Sequence, residues 1–271
     1  MRRPGCAQLP GHRLKAVMNM GNLLRSWNVA TGNFFFQHRN FLYPFIFLFI
    51  AVTMRPKIVF GSILLDRFLL VCGAAVAITG EIVRLTTIGY EKIRRGGKER
   101  QVFANRLASG GMYGVVRNPL YLGNALIVVG MTMYMGVPLA YFVVIPFFLF
   151  VYQAIVFAEE EYLRNRFKSE YDQYCAQVNR FIPSLRAVGR SFSGLRFDWK
   201  RSFARDMGTA VGLIMGLILV PIWRTYFLEG WAATKVIGVK LFAVACVGGL
   251  LYAFLLYLKR RKLSIFRSKT A

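Results

Sequence analysis

Long runs of apolar residues alternate with short basic segments along most of the chain. The runs lie at roughly 34–54, 68–88, 119–135, 139–158, 208–228 and 236–258. Since about 20 apolar residues cross the hydrocarbon core of a bilayer, each run predicts a transmembrane helix. The pattern therefore predicts an all-α fold, a polytopic membrane bundle of about six helices.

Glycine and proline punctuate these runs. Only residues 136–138, Gly-Val-Pro, separate the third run from the fourth, which predicts a tight antiparallel hairpin. In the fifth run Gly208, Gly212 and Gly216 recur every four residues. Such a stripe lets another helix approach closely, although glycine is also common in membrane helices without that role.

The charge is strongly basic. The 271 residues include 36 Lys and Arg against 12 Asp and Glu, and 56% of them are hydrophobic. A basic soluble protein often binds nucleic acid, but basic loops between apolar runs fit anionic lipid headgroups better. Most basic residues lie in segments 1–40, 82–118, 159–206 and 259–271, which share one side of a six-helix bundle. The positive-inside rule then predicts that both termini are cytoplasmic.

Cysteine and histidine usage argues against several kinds of site. The four cysteines form no C-x-x-C pair, and both histidines lie near the N-terminus. A disulfide framework, a zinc site and a Ser-His-Asp triad are therefore not expected, and we predict no bound metal.

The first segment with chemical potential is GMYGVVRNPLYLGN, residues 111–124. Asn118 and Pro119 suit the N-cap and first position of a helix, and that role alone could explain them. It does not explain the nearby glycines, tyrosines and Arg117. A helix N-terminus also offers free N–H groups and partial positive charge to an anion such as a carboxylate.

The second segment follows the fourth run at residues 157–183. Its apolar residues recur at helical spacing and predict an amphipathic helix, either lying on the membrane face or capping the bundle; they are Leu163, Phe167, Tyr171, Tyr174 and Val178. Three carboxylates, Glu159 to Glu161, open it. They could simply stabilise the helix start through its dipole, or bind a cationic or hydroxyl-bearing ligand.

Together the two segments suit a ligand with a carboxylate, a positive centre and a ribose. S-adenosylmethionine is such a ligand. No glycine-rich strand-turn-helix of the Rossmann type occurs, so a methyltransferase domain of the soluble type is not expected.

The two motifs, in this order and spacing, resemble the integral-membrane family that contains isoprenylcysteine carboxyl methyltransferases and phospholipid N-methyltransferases. The likeness covers about residues 70–185, including GEIVRLTTIGY at 80–90. The matching positions are Gly111, Tyr113, Arg117, Pro119, Tyr121, Gly123, Glu159, Glu160, Leu163, Phe167, Tyr171, Tyr174, Arg180 and Pro183.

Three positions depart from the family pattern. Asn118 stands where the carboxyl methyltransferases have His, which is similar to the phospholipid branch. Lys168 replaces a usual Gly, and Asn179 a usual Pro. The last two apolar runs lie outside the resemblance.

The resemblance implies an S-adenosylmethionine pocket near the cytoplasmic face and a lipid or lipidated substrate with an amine or carboxylate acceptor. The implied cofactor contacts are Tyr113, Asn118, Pro119, Tyr121, Leu122, Gly123, Glu159 and Glu160. The candidate catalytic residues are Arg117, Glu160 and Arg180. An arginine could orient a carboxylate, whereas an ammonium would first lose a proton to Glu159, Glu160 or a tyrosine.

Two alternatives stay open: an NADPH-dependent membrane sterol or enone reductase, and a non-enzymatic transporter or assembly protein. The chain divides into a basic cytoplasmic tail (1–33), a methyltransferase-like core (34–185), a basic linker (186–206), a two-helix transmembrane hairpin (207–258) and a second basic tail (259–271). We expect a multi-pass protein of a bacterial cytoplasmic membrane, with lipid substrate and anionic headgroups as partners. The oligomeric state is left open.

Overall fold

The computed structural model describes residues 29–38, 44–90, 95–98, 101–104 and 107–260. Most of the two predicted tails, residues 1–28 and 261–271, lies outside these ranges. Residues 39–43, inside the first predicted span, also lie outside them.

Helices dominate the described chain, as the apolar runs predict. The helices are α1 (29–38), α2 (Pro44–Thr53), α3 (Ile63–Tyr90), α4 (Met112–Val115), α5 (Pro119–Met135), α6 (Pro138–Phe167), α7 (Ser169–Gln177), α8 (Val188–Phe192), α9 (Trp199–Glu229) and α10 (Trp231–Arg260). Short 3₁₀ turns lie at Val59–Gly61 and Leu185–Ala187.

The all-α prediction is confirmed for the bundle, and a small antiparallel hairpin is added in one loop. Strands β1 (Arg95–Lys98) and β2 (Gln101–Ala104) pair with Arg95 opposite Ala104 and Lys98 opposite Gln101. Each strand has only four residues and lies in the basic loop after α3. A segment this short carries too little alternation to be distinguished from a loop by pattern alone.

The count of six spans is not confirmed. Within the described residues, α3, α6 and α9 are long and apolar enough to cross a membrane. Helices α2 and α5 are apolar but shorter. The 17 residues of α5 extend about 25 Å, less than a hydrocarbon core of about 30 Å. Helix α10 covers the sixth run, but only some of its side chains are described.

Helices α3 and α5 form the closest helix pair, through glycines on both helices. A Cβ added at Gly80 would lie 2.5 Å from the carbonyl oxygen of Gly123, and one at Gly130 would lie 2.4 Å from the nitrogen of Ala77. Small residues allow two membrane helices to approach to this distance. These glycines therefore have the close-packing role that was one of the two interpretations of the stripe on α9.

The turn between α5 and α6 is tight, as predicted. Gly136 ends α5 with φ 63° and ψ 40°, a left-handed conformation that favours glycine, and Pro138 begins α6. Arg224 of α9 reaches this turn and donates to the Met135 carbonyl oxygen at 2.9 Å. Its other nitrogen lies 2.7 Å from the carboxylate of Asp66 on α3. This buried pair fastens one end of the bundle.

The predicted amphipathic helix over 157–183 is not one helix. Helix α6 ends at Phe167, Lys168 takes φ 49° and ψ −121°, and α7 begins at Ser169. The break turns α7 back on the protein, so the apolar stripe forms a small core of its own. Its fully buried members are Leu163, Tyr171, Tyr174 and Val178. Of the two alternatives, capping the bundle is therefore the one the fold adopts.

Candidate functional site

The two sequence motifs meet in the structure. The amide nitrogen of Asn118, at the start of α5, donates to Glu160 Oε1 of α6 at 2.9 Å. The same nitrogen lies 3.4 Å from the carbonyl oxygen of Arg180. Asn118 is only 3% exposed. The mouth of one helix and the acidic base of its hairpin partner are thus in direct contact at the same end of the bundle.

Glu160 is the centre of a buried polar cluster. Its Oε2 lies 3.1 Å from Nη2 of Arg180, and its Oε1 lies 3.7 Å from Nη1 of Arg117. Arg117 also donates to the sulfur of Cys175 at 2.9 Å. Burial opposes the charge on Arg117, but its neighbours Glu160, Cys175 and Tyr171 together outweigh the effect of burial and raise the pKa of the guanidinium.

Main-chain bonds hold the closing segment against the first motif. The Arg117 N–H donates to the carbonyl oxygen of Asn179 at 2.9 Å, and the hydroxyl of Tyr174 donates to the carbonyl oxygen of Tyr113 at 2.7 Å. These bonds fix residues 113–118 between α6 and α7. The replacement of the family's usual Pro by Asn179 does not disturb this contact, because the carbonyl group is what it uses.

Beside this cluster lies a cavity of about 820 Å³. Five of the predicted site residues line it: Tyr113, Asn118, Pro119, Tyr121 and Glu159. Arg117, Leu122, Gly123, Glu160 and Arg180 do not form part of its wall. Gly123 instead packs against Gly80 and Arg84. The volume lies in the upper part of the range for small-molecule sites, about 300–1,000 Å³.

The carboxylate on the cavity wall is that of Glu159. Its neighbour Glu160 points into the cluster of Arg117, Arg180 and Asn118, where its oxygens are already engaged. Consecutive residues on a helix point about 100° apart, so two adjacent carboxylates face different surroundings. Sequence alone does not show which of the two faces the ligand.

The orientation of the Asn118 amide follows from its partners. A carboxylate and a carbonyl group only accept hydrogen bonds, so the amide nitrogen faces Glu160 and Arg180, and both of its N–H groups are used. The remaining polar atom, Oδ1, belongs to a residue of the cavity wall. Asn118 occupies the N-cap position and Pro119 begins the helix, as predicted, but the Asn118 side chain makes no capping bond. The first-turn N–H groups of α5 are thus uncapped by Asn118.

Arg84 lies in the segment GEIVRLTTIGY but was not among the predicted site residues. It lines the cavity and donates to Asn124 on α5, to Asp206 on α9 and, at 3.1 Å, to the hydroxyl of Thr209. Its nearest approach to Glu81, three residues earlier, is 4.0 Å, so a local ion pair does not explain it. Charged residues inside apolar runs are expensive, and this was the available signal.

The cavity is polar at one end and apolar along the rest. Near the polar cluster α9 contributes Arg205 and Thr209, and further along it contributes Gly212, Leu213, Gly216 and Val220. Helix α5 changes in the same direction, from Asn118 and Asn124 to Ile127, Val128, Met131 and Met135. The cavity therefore has the polarity of an amphiphile.

These features describe a helical membrane protein with a cavity that is polar where the two motifs meet and apolar along the rest of its wall. Residues 68–170 match the family model described as phospholipid methyltransferase, which confirms the resemblance seen in the two motifs. The segment runs from α3 into α7, so α9 and α10 lie outside it. No curated protein and no solved structure matches the chain.

Proposed function

We propose that the protein is an S-adenosylmethionine-dependent methyltransferase that methylates a membrane lipid, with an amine acceptor favoured over a carboxylate. The observation that carries the proposal is the contact of Asn118 with Glu160 beside a cavity. The contact unites the two family motifs around one cavity. Neither a nicotinamide-dependent reductase nor a transporter has a comparable observation in its favour.

The residues of the polar end fit such a cofactor. The uncapped N–H groups of α5 and its partial positive charge suit a carboxylate, and Glu159 suits the hydroxyl groups of a ribose. Asn118 Oδ1 accepts hydrogen bonds and suits an ammonium group. Tyr113, Pro119 and Tyr121 supply apolar and aromatic surface. When bound, the cofactor supplies a methyl group on a positively charged sulfur.

Three of the predicted site residues do not line the cavity but contact residues beside it: Arg117, Glu160 and Arg180. They hold Asn118 and the closing segment in place, so we assign them positioning roles. A methyl transfer is an in-line displacement, and its rate depends on alignment and on the exclusion of water. Fixing the mouth of α5 against α7 serves both requirements.

An ammonium substrate must lose a proton before it can be methylated. Glu159 is the carboxylate on the cavity wall, so we assign it as the acceptor. Tyr171 is excluded, because burial and the neighbouring charge of Glu160 raise the pKa of its hydroxyl. A carboxylate substrate would need no base, and Arg84 and Arg205 on the wall could then orient it.

We further propose that the polar end faces the cytoplasm of a bacterial cell and that the linker 186–206 contacts anionic headgroups. The linker, which includes the start of α9, exposes large apolar side chains, among them Val188, Trp199 and Phe203, next to Arg190, Arg196 and Lys200. Basic and aromatic residues together are typical of the membrane interface.

Two measurements test the proposal. Calorimetry on the purified protein should show binding of S-adenosylmethionine and none of NADPH. In vesicles, methyl groups from labelled cofactor should appear on lipids with an ethanolamine headgroup. NADPH binding without S-adenosylmethionine binding would favour the reductase, and label on a prenylated carboxylate alone would replace the amine acceptor.

A further inference from the structure

We infer that α9, which lies outside the family-matching segment, forms the site for the hydrocarbon chain of the lipid substrate and that Gly212 sets which chains it accepts. The inference rests on the proposed function for the identity of the substrate as a lipid. It assigns a role to a helix that neither the motifs nor the family match covers.

The first observation is the open face of α9. Gly208 and Gly212 both line the cavity, and a Cβ added at either would meet no atom within 4 Å. Glycines at a helix contact show the opposite, as at Gly80 and Gly130, where an added Cβ would meet backbone atoms at 2.5 Å and 2.4 Å. Gly208 and Gly212 therefore face open space on the cavity wall, and a larger side chain at either position would extend into the cavity.

The second observation is the composition of the wall opposite and below the stripe. Beyond Thr209 the residues that line the cavity are apolar and come from three parts of the chain: Phe47 and Ala51 of α2, Ile127, Val128, Met131 and Met135 of α5, and Leu213 and Val220 of α9. Such a wall favours hydrocarbon and disfavours a charged or hydrogen-bonding group.

The third observation is the length of this channel. Val220 lies twelve positions after Gly208, which is about 18 Å further along the helix axis. Half of a hydrocarbon core of about 30 Å is about 15 Å, the depth of one leaflet. The channel thus matches a chain that starts at the headgroup layer and runs through one leaflet.

The fourth observation is a polar anchor that holds α9 in register at the head of this channel. Arg84 donates to Asp206, which is 1% exposed, and to Thr209 at 3.1 Å. The hydroxyl of Ser202 donates to the carbonyl oxygen of Leu85 at 2.7 Å. The Arg84 guanidinium also donates to Asn124 on α5. These contacts place the glycine face directly beyond the predicted headgroup site.

Gly212 lies at the point where the polar lining gives way to apolar lining. Gly216, one turn further, already contacts Met131, since its added Cβ would lie 2.6 Å from the Met131 Cε. The cavity is therefore already narrowed at Gly216 and open at Gly212. A leucine at 212 would occupy the passage between the headgroup end and the deeper channel.

The experiment compares Gly212→Leu with Gly238→Leu in the whole chain. Gly238 of α10 also has no atom within 4 Å of an added Cβ, but it does not line the cavity. Both proteins are reconstituted in phosphatidylcholine vesicles with a phosphatidylethanolamine that carries a photoreactive diazirine midway along one acyl chain. Irradiation and peptide mapping then locate the label.

In the wild type and in Gly238→Leu the label should appear on the peptides that contain Met131 and Leu213. In Gly212→Leu this labelling should fall about tenfold, while binding of S-adenosylmethionine stays unchanged. Methyl transfer to lipids with long chains should fall by a similar factor relative to lipids with very short chains. The photolabelling does not depend on methyl transfer, so it remains informative if the proposed reaction is wrong.

Equal labelling of the Met131 and Leu213 peptides in all three proteins would overturn the inference, as would a Gly212→Leu enzyme with the wild-type preference for chain length. A wild-type protein that does not bind S-adenosylmethionine would instead overturn the proposed function. Labelling that follows the expected pattern would then still support a hydrocarbon site on α9. A thermal unfolding curve of each variant identifies any general loss of folded protein.

Discussion

The amide nitrogen of Asn118 lies 2.9 Å from the carboxylate of Glu160, although 42 residues separate them in the chain. Each belongs to a different motif and a different helix, and each is buried. The contact makes the mouth of α5 and the base of α6 parts of one site.

Replacing Asn118 by Ala should weaken S-adenosylmethionine binding about tenfold or more, because the cavity loses Oδ1 and Glu160 loses a buried donor. Calorimetry measures the change. The matched control is Asn165→Ala, since Asn165 donates to Glu161 at 3.2 Å on an exposed surface. An equal loss in both variants would contradict the role given to Asn118.

The adjacent carboxylates should separate into two phenotypes. Glu160→Gln should lower the free energy of unfolding by about 2 kcal/mol, because Arg117 and Arg180 lose their charged partner. Glu159→Gln should leave the stability nearly unchanged and reduce methyl transfer to an ethanolamine lipid. Thermal unfolding and labelled-methyl assays on both variants test this. The reverse pattern would show that Glu160 is the residue facing the ligand.

Tyr171 should not affect the pH dependence of methyl transfer. Burial raises the pKa of its hydroxyl, so the group stays protonated throughout the neutral range and above it. Tyr171→Phe should therefore retain the wild-type pH profile of methyl transfer. A profile that flattens in Tyr171→Phe would make the tyrosine the proton acceptor.

Lys168→Gly should stabilise the fold by about 1 kcal/mol, because φ 49° with ψ −121° is strained for a residue with a Cβ. The side chain is exposed, so little contact is lost. Lys200→Gly, near the start of α9, is the control and should be neutral or destabilising. Thermal unfolding that shows no gain for Lys168→Gly would mean that the turn carries no strain.

Gly136→Ala should destabilise the protein by about 3 kcal/mol or more, since it would displace Arg224 and leave Asp66 buried without its partner. An added Cβ would lie 1.3 Å from Nη1 of Arg224, and φ is positive as well. Gly238→Ala is the control and should be neutral or slightly stabilising. The unfolding midpoint in detergent distinguishes the two.

The sequence was sufficient for features that depend on local chemistry. The turn at 136–138 follows from a glycine and a proline at fixed positions, and the meeting of Asn118 with the carboxylates follows from a short hairpin that places both at one end. The α9 stripe was open to two interpretations, close helix packing or the ordinary frequency of glycine in membrane helices, and neither anticipated glycines that face a cavity. Only the three-dimensional neighbours of Gly80 and Gly212 distinguish these cases.

Contacts between residues far apart in the chain could not be predicted from the pattern of apolar and polar residues. Arg84 and Asp206 are 122 residues apart, and no period connects them. The break at Lys168 was also missed, because the apolar spacing continues across it while the backbone reverses. Which of two consecutive glutamates faces the ligand depends on the rotation of α6, which packing fixes and composition does not.

The contact between Arg84 and Asp206 joins the family-matching segment to a helix outside it, so two separate parts of the chain build one cavity. Under the proposed function residues 68–170 supply the reacting groups, whereas α9, later in the chain, lines one side of the cavity. Exchanging α9 for a helix with bulkier side chains would change which lipids the cavity accepts and leave the reaction the same.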